Sequence, residues 1–245
     1  MPVQALGYIG VDARDFDPWR RFATDVFAMQ VVERGPDALA CRVDDRCQRV
    51  LVQRSDRDGP AFFGFETAGA EEMKETAGKL EAAGFKVTRA NEKELTLRGV
   101  DEMAWCRDPA GNRIELFHGQ ATGEGPFTAP RPHGGFRTGT MGMGHMVLHA
   151  EDIDAMSAFY RELLGLRLSD YMVKPYRLMF LRANPRHHSV GLLQSKQNGV
   201  HHVMLEVLAL DDERRKTANE IRRKTILSGL GAPLQVTRGQ FKEVE

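Results

Sequence analysis

The feature that most constrains this chain is a repeat inside it. A shift that brings Gly7 onto Gly144 lays Gly7-Tyr8-Ile9-Gly10-Val11-Asp12-Ala13-Arg14-Asp15-Phe16-Asp17 over Gly144-His145-Met146-Val147-Leu148-His149-Ala150-Glu151-Asp152-Ile153-Asp154. The same shift brings Phe22 onto Phe159 and Val26-Phe27 onto Leu163-Leu164. With small loop changes, Arg46-Cys47-Gln48-Arg49-Val50 falls on Arg186-His187-His188-Ser189-Val190, and Phe62-Phe63 falls on His201-His202. Self-similarity of this length requires each half to build the same supersecondary units.

The apolar pattern predicts what those units are. Residues 5–12 read as a strand, and residues 16–26 as a helix capped by Asp15, with Trp19, Phe22 and Val26 on one face. Strands follow over 38–43, 49–53 and 61–67, then a helix over 71–83 with Met73, Ala77 and Leu80 aligned and Gly84 closing it. Further strands are predicted at 86–89, 94–98, 103–107 and 113–118, the last entered through the turn Asp108-Pro109-Ala110-Gly111-Asn112. The order is βαβββ, given once and begun again. The expected class is therefore α+β, with tandem βαβββ modules in two barrel-like domains. Residues 1–120 form the first, 121–141 a Gly- and Pro-rich linker, and 142–245 the second, which departs from the repeat after about 212.

The repeat also sorts the histidines. Six of the eight lie between Met143 and Val207, in three clusters that read as strands. Where the second half has His145, His188 and His202, the first has Tyr8, Gln48 and Phe63. The scaffold does not need imidazole at these places, so the trio is a candidate site. Imidazole is the commonest side-chain metal ligand, and strands hold alternate residues rigidly on one face. His187 and His201 each precede a member of the trio, so on a strand they are expected to face outward and pack. His149, four after His145, shares its strand face and is a candidate outer partner. His118 and His133 read as solvent or linker residues.

Bulk properties exclude other classes. Lys+Arg and Asp+Glu are equal at 34 each, so no basic field favours nucleic acid or an anionic membrane. No apolar run approaches the roughly 20 residues that span a bilayer, and the N-terminus carries no charged-then-apolar leader. Cys41, Cys47 and Cys106 lack CxxC spacing, which fits structural thiols in a reducing cytoplasm.

With these residues in view, the chain resembles the type I extradiol (catechol meta-cleaving) dioxygenases of the vicinal oxygen chelate superfamily. The carrying residues are Gly134-Gly135-Phe136-Arg137-Thr138-Gly139, then Gly142-Met143-Gly144-His145. Asn184-Pro185-Arg186-His187-His188-Ser189 and His201-His202-Val203-Met204-Leu205-Glu206 continue the match. The resemblance covers residues 5 to about 212. It implies His145 and His202 as ligands of Fe(II), with Mn(II) the other possibility, and His188 as the neighbouring acid/base residue. It implies a catechol and O2 as substrates, ring opening beside the two hydroxyls, and a homo-oligomer. The family's third ligand is a Glu on the last strand of the second half, completing a 2-His-1-carboxylate face. Glu115 holds that position in the first half, where Tyr8 and Phe63 replace the histidines and no metal is expected.

The tail departs from the family pattern. Carrying the Phe63-to-Glu115 separation over to His202 places the carboxylate beyond Glu245, and the sequence from Glu213 onward is charged and poorly amphipathic. Glu245 is a weak candidate for the third ligand, and a truncated or replaced C-terminus with low ring-cleaving activity is the expectation. Two other functions share the scaffold: a non-catalytic small-molecule binder, against which the three histidines speak, and a glyoxalase-type isomerase, which would draw ligands from both halves.

Overall fold

The computed structural model describes residues 2–208. The expectations for Glu245, for the charged stretch after Glu213 and for the lowered activity they imply all lie outside the described residues.

Strands β1 (Val3–Ala13), β2 (Gln30–Glu33), β3 (Ala38–Arg42) and β4 (Val50–Arg54) form the first βαβββ unit, with helix α1 (Asp17–Arg21) after β1. The second unit is β5 (Gly59–Thr67), α2 (Ala70–Ala82), β6 (Thr88–Arg89), α3 (Glu92–Arg98), β7 (Glu102–Arg107) and β8 (Arg113–His118). They share one eight-stranded sheet in the order β2-β3-β4-β1-β5-β8-β7-β6. β1 runs parallel to β4, β5 runs parallel to β8, and the units meet along the antiparallel β1–β5 pair. β1 (VQALGYIGVDA) is buried along almost its whole length, as the near-continuous apolar run of a central strand requires.

The second half begins the same construction. It contains β9 (Gly144–Ala150), α4 (Ile153–Ala158), β10 (Arg167–Met172), β11 (Leu178–Arg182), β12 (Val190–Gln194) and β13 (Gly199–Leu205). Their sheet order, β10-β11-β12-β9-β13, repeats the ladder β2-β3-β4-β1-β5 strand for strand. The α+β fold of tandem βαβββ units is therefore written in hydrogen bonds as well as in sequence. One apolar cluster runs through both halves. Phe65 packs on Tyr160 and Phe85 on Phe159, with ring centroids 6.0 and 5.0 Å apart. The Tyr160 hydroxyl also donates to Asp108 Oδ2 of the first half's turn at 3.0 Å. No helix among the described residues is long and apolar enough to cross a membrane.

Several local expectations change. Residues 94–98 belong to helix α3 rather than to a strand. Asn91 accepts from the Glu94 amide while Glu94 accepts from the Asn91 amide, a reciprocal cap that starts a helix whatever the β-propensity downstream. Beyond Arg21 the first helix widens into a π-turn over Phe22–Val26. Its cap residue is Phe16, although Asp15 does accept from the Asp17 amide. On α2 the buried stripe is Met73, Thr76 and Leu80; Ala77 is only half-buried. β2 had no separate signal in its sequence.

Candidate metal centre

β9 is an interior strand of the second sheet, with β12 parallel on one side and β13 antiparallel on the other. His145, the second residue of β9, is buried with 6 % of its surface exposed. On β13, Met204 lies opposite His145 and His202 opposite Val147. The ladder then jumps from His202–Val147 to Val200–Leu148, leaving His201 as an extra residue in a β-bulge. Across this pair the Nε2 atoms of His145 and His202 stand 3.2 Å apart.

His188 approaches from a bend and not from a strand; β12 begins two residues later, at Val190. Its ring centroid is 4.0 Å from that of His145. The bend is tied at several points. Asn184 Nδ2 donates to the carbonyls of Gln4 and Met141, and Arg186 donates to the Arg137 carbonyl and pairs with Glu206. Phe180 of β11 packs its ring 4.7 Å from that of His188. The structure thus brings the predicted trio together at one end of β9.

The neighbours differ from expectation. His187 and His201 do not turn away from their partners. The Nδ1 atoms of His187 and His188 are 2.9 Å apart, and those of His201 and His202 are 2.7 Å apart. Strict alternation fails because one pair sits in irregular backbone and the other in a bulge. His149 lies beside His201, with ring centroids 5.1 Å apart. His133 accepts from the Gly135 amide and packs on Phe136, and His118 ends β8 near Glu102.

Burial sets the protonation state of the trio. Loss of solvation pulls the His145 pKa down to about 2, aided by His188, His202 and Arg186 nearby. The same desolvation lowers His188 and His202 to about 4. All three imidazoles are neutral at pH 7, the form that binds metal. Metal–imidazole bonds are about 2.1 Å long. Two nitrogens 3.2 Å apart therefore suit one ion with bonds near a right angle, and the pair fits a divalent metal. Among the described residues no group of three His, Cys, Asp or Glu side chains is close enough to share an ion.

The sister cup shows what the first half does instead. Pairing registers equate Tyr8 with His145, since Tyr8 lies opposite Gly64 as His145 lies opposite Met204. Phe62 lies opposite Gly10 as His202 lies opposite Val147, so the counterpart of His202 is Phe62 and not Phe63. Phe63 packs in the core on the other face of the sheet. Glu115 accepts from Tyr8, from Arg113 and, through both oxygens, from Arg98 at 3.0 Å. The Arg98 guanidinium also lies 3.6 Å over the Phe62 ring. Gln48, the counterpart of His188, donates to the Arg98 carbonyl. An organic cation thus fills the cup whose sister fits a metal. A strand over 94–98 gives Arg98 no special place; the Asn91-x-x-Glu94 cap is the sequence signal for the helix that carries it.

Known proteins resemble this chain in sequence and fold. The family "Dihydroxybiphenyl dioxygenase BphC D1" matches residues 6–54, and "Glyoxalase/Bleomycin resistance protein/Dioxygenase superfamily" matches residues 142–229. An iron-dependent extradiol dioxygenase of Rhodococcus jostii (strain RHA1) is 36% identical over 243 residues, spanning 93% of this chain and 80% of its own. A biphenyl-2,3-diol 1,2-dioxygenase of Sphingomonas paucimobilis is 38% identical over 86% of this chain and 73% of its own. The crystal structure of BphC, a halotolerant catechol dioxygenase, superposes with a TM-score of 0.83 at 30% identity, covering 91% of this chain and 76% of that one.

Proposed function

Because the chain belongs to the extradiol dioxygenases of the glyoxalase/dioxygenase superfamily, we propose the following division of labour for an Fe(II)-dependent, ring-cleaving enzyme acting on a catechol and O2. His145 and His202 hold the metal through Nε2, and His188 is the acid/base residue. The observation that carries this reading is the 3.2 Å approach of two neutral imidazole nitrogens from strands 57 residues apart. Fe(II) held by His145 and His202 would supply a redox-active Lewis acid for a catechol and O2; Mn(II) is the other candidate ion.

His188 works from Nε2, because its Nδ1 is engaged with His187. Neutral at pH 7, that nitrogen takes the proton of a catechol hydroxyl and returns it as the ring opens. Phe180 packs its ring against that of His188, with centroids 4.7 Å apart. Arg186, held by Glu206, keeps the bend in place and adds positive charge that favours the neutral imidazoles.

A bicyclic or otherwise 3-substituted catechol is the proposed substrate class, by analogy with the biphenyl-2,3-diol of a relative's name. Residues 1–120 and 142–245 are the two proposed domains, joined by 121–141. The free, buried Cys41, Cys47 and Cys106 support a cytoplasmic setting, and the zero net charge supports a partner other than nucleic acid. The edge strand β10 with its exposed Leu168 and Tyr171, followed by exposed Val173 and Tyr176, supports a homo-oligomer.

The test is anaerobic loading with Fe(II), followed by oxygen uptake with 2,3-dihydroxybiphenyl and with 3-methylcatechol. The reading expects metal-dependent uptake of one O2 per catechol, with a yellow ring-opened product. Uptake that ignores added metal, or none with either substrate, overturns it.

A further inference from the structure

The bulge on β13 leaves His201 with no place in the ladder, yet its imidazole is not idle. Its Nδ1 lies 2.7 Å from His202 Nδ1, and the rings meet edge to face with centroids 4.9 Å apart. His149, from the paired strand, also stands beside it, with ring centroids 5.1 Å apart. We propose that His201 is a positioning residue whose Nδ1 engages Nδ1 of His202, fixing the tautomer and the aim of the His202 ring so that Nε2 is left to the metal. This rests on the reading of His202 as a ligand.

The sister half supplies the control. Its β1–β5 ladder has the same jump, from Phe62–Gly10 to Pro60–Val11, so Ala61 occupies the bulge position that His201 holds in the second half. The backbone therefore forms this bulge with a methyl side chain. Imidazole at the bulge occurs in the half whose next residue is His202, and alanine in the half whose next residue is Phe62, which has no nitrogen to orient. The chemistry gives the reason. A neutral imidazole binds metal with the nitrogen that lacks a proton, so its other nitrogen must carry one and needs an acceptor. His201 Nδ1 is that acceptor. The bend before β12 repeats the device on unrelated backbone, where His187 Nδ1 meets His188 Nδ1 at 2.9 Å.

The test uses the full chain with His201→Ala, His201→Asn and His202→Ala, each titrated anaerobically with Co(II) and followed by its absorption bands, alongside melting of the metal-free proteins. Alanine is what the sister bulge carries, and Asn places its Oδ1 close to the position of the lost Nδ1. Loss of an outer partner costs about 10–100-fold in metal affinity. We expect that loss in His201→Ala with an unchanged metal-free melting temperature, recovery to within a few-fold in His201→Asn, and no binding in His202→Ala. Wild-type affinity in His201→Ala overturns the positioning role, as does equal weakening in the Ala and Asn variants or weakening that tracks a lower melting temperature. Wild-type affinity in His202→Ala instead removes the ligand reading, and the positioning role with it.

Discussion

His145 and His202 bring their Nε2 atoms to 3.2 Å across the β9–β13 pair, and each ring is held neutral by burial. The neutrality and the spacing belong together. Two protonated imidazoles at that distance would repel, whereas two neutral ones present lone pairs to one point.

Under the proposed reading both rings are needed for metal. His145→Ala and His202→Ala should each bind Fe(II) more than about 100-fold more weakly, exceeding what loss of an outer partner costs, with ring cleavage lost in proportion. Metal content after desalting checks this; full occupancy in either variant would contradict it.

His188 should separate from the ligands in this measurement. His188→Phe keeps ring bulk against Phe180 but has no basic nitrogen. Its kcat should fall by about 10²–10⁴-fold, the usual worth of a positioned acid/base, while Fe(II) is retained. A parallel loss of metal would make His188 a ligand.

The trio also predicts how the metal-free protein responds to acid. An unfolded histidine titrates near 6.5, whereas His188 and His202 titrate near 4 and His145 near 2 in the fold. Below pH 6.5 the unfolded chain binds more protons than the native one, so acid favours unfolding. This part of the stability is complete above about pH 6.5. It declines as pH falls toward 4, and the His145 share continues to decline toward 2. Urea unfolding between pH 7 and 4.5 should show that slope, and a His145→Gln, His188→Gln, His202→Gln triple variant should flatten it.

In the sister cup the prediction concerns stability alone. Arg98 and Glu115 are 4 % and 0 % exposed, so removing the guanidinium takes away the two-point partner of a buried carboxylate and leaves Arg113 as its one remaining ion pair among the described residues. Arg98→Met should lower unfolding free energy by about 3–5 kcal/mol, with metal content unchanged, and adding Glu115→Gln should return part of the loss. Denaturant titration of both variants, with iron assay of each, decides it.

Much of this protein could be read from its residues alone. The offset between Gly7 and Gly144 determined that one supersecondary plan is used again, and the swap of Tyr8 and Gln48 for His145 and His188 marked two positions free of scaffold duty. Those are facts of the sequence itself, because an offset and a residue swap are visible before any strand is paired. What the tertiary structure decided lies where chain order stops ruling. A bulge inserts one residue into a pairing without changing composition, so only the β1–β5 and β9–β13 registers reveal that His202 corresponds to Phe62 and not Phe63. The same bulge turns His201 toward its neighbour when alternation would have turned it away. A reciprocal cap at Asn91 made α3 a helix, and that helix carries Arg98 to Glu115, 17 residues on and across the sheet. Hydrogen bonds between distant backbone segments chose the registers, and no window of neighbouring residues contains both of their ends; the Asn91 cap spans three residues, but the meeting of Arg98 with Glu115 is a tertiary outcome.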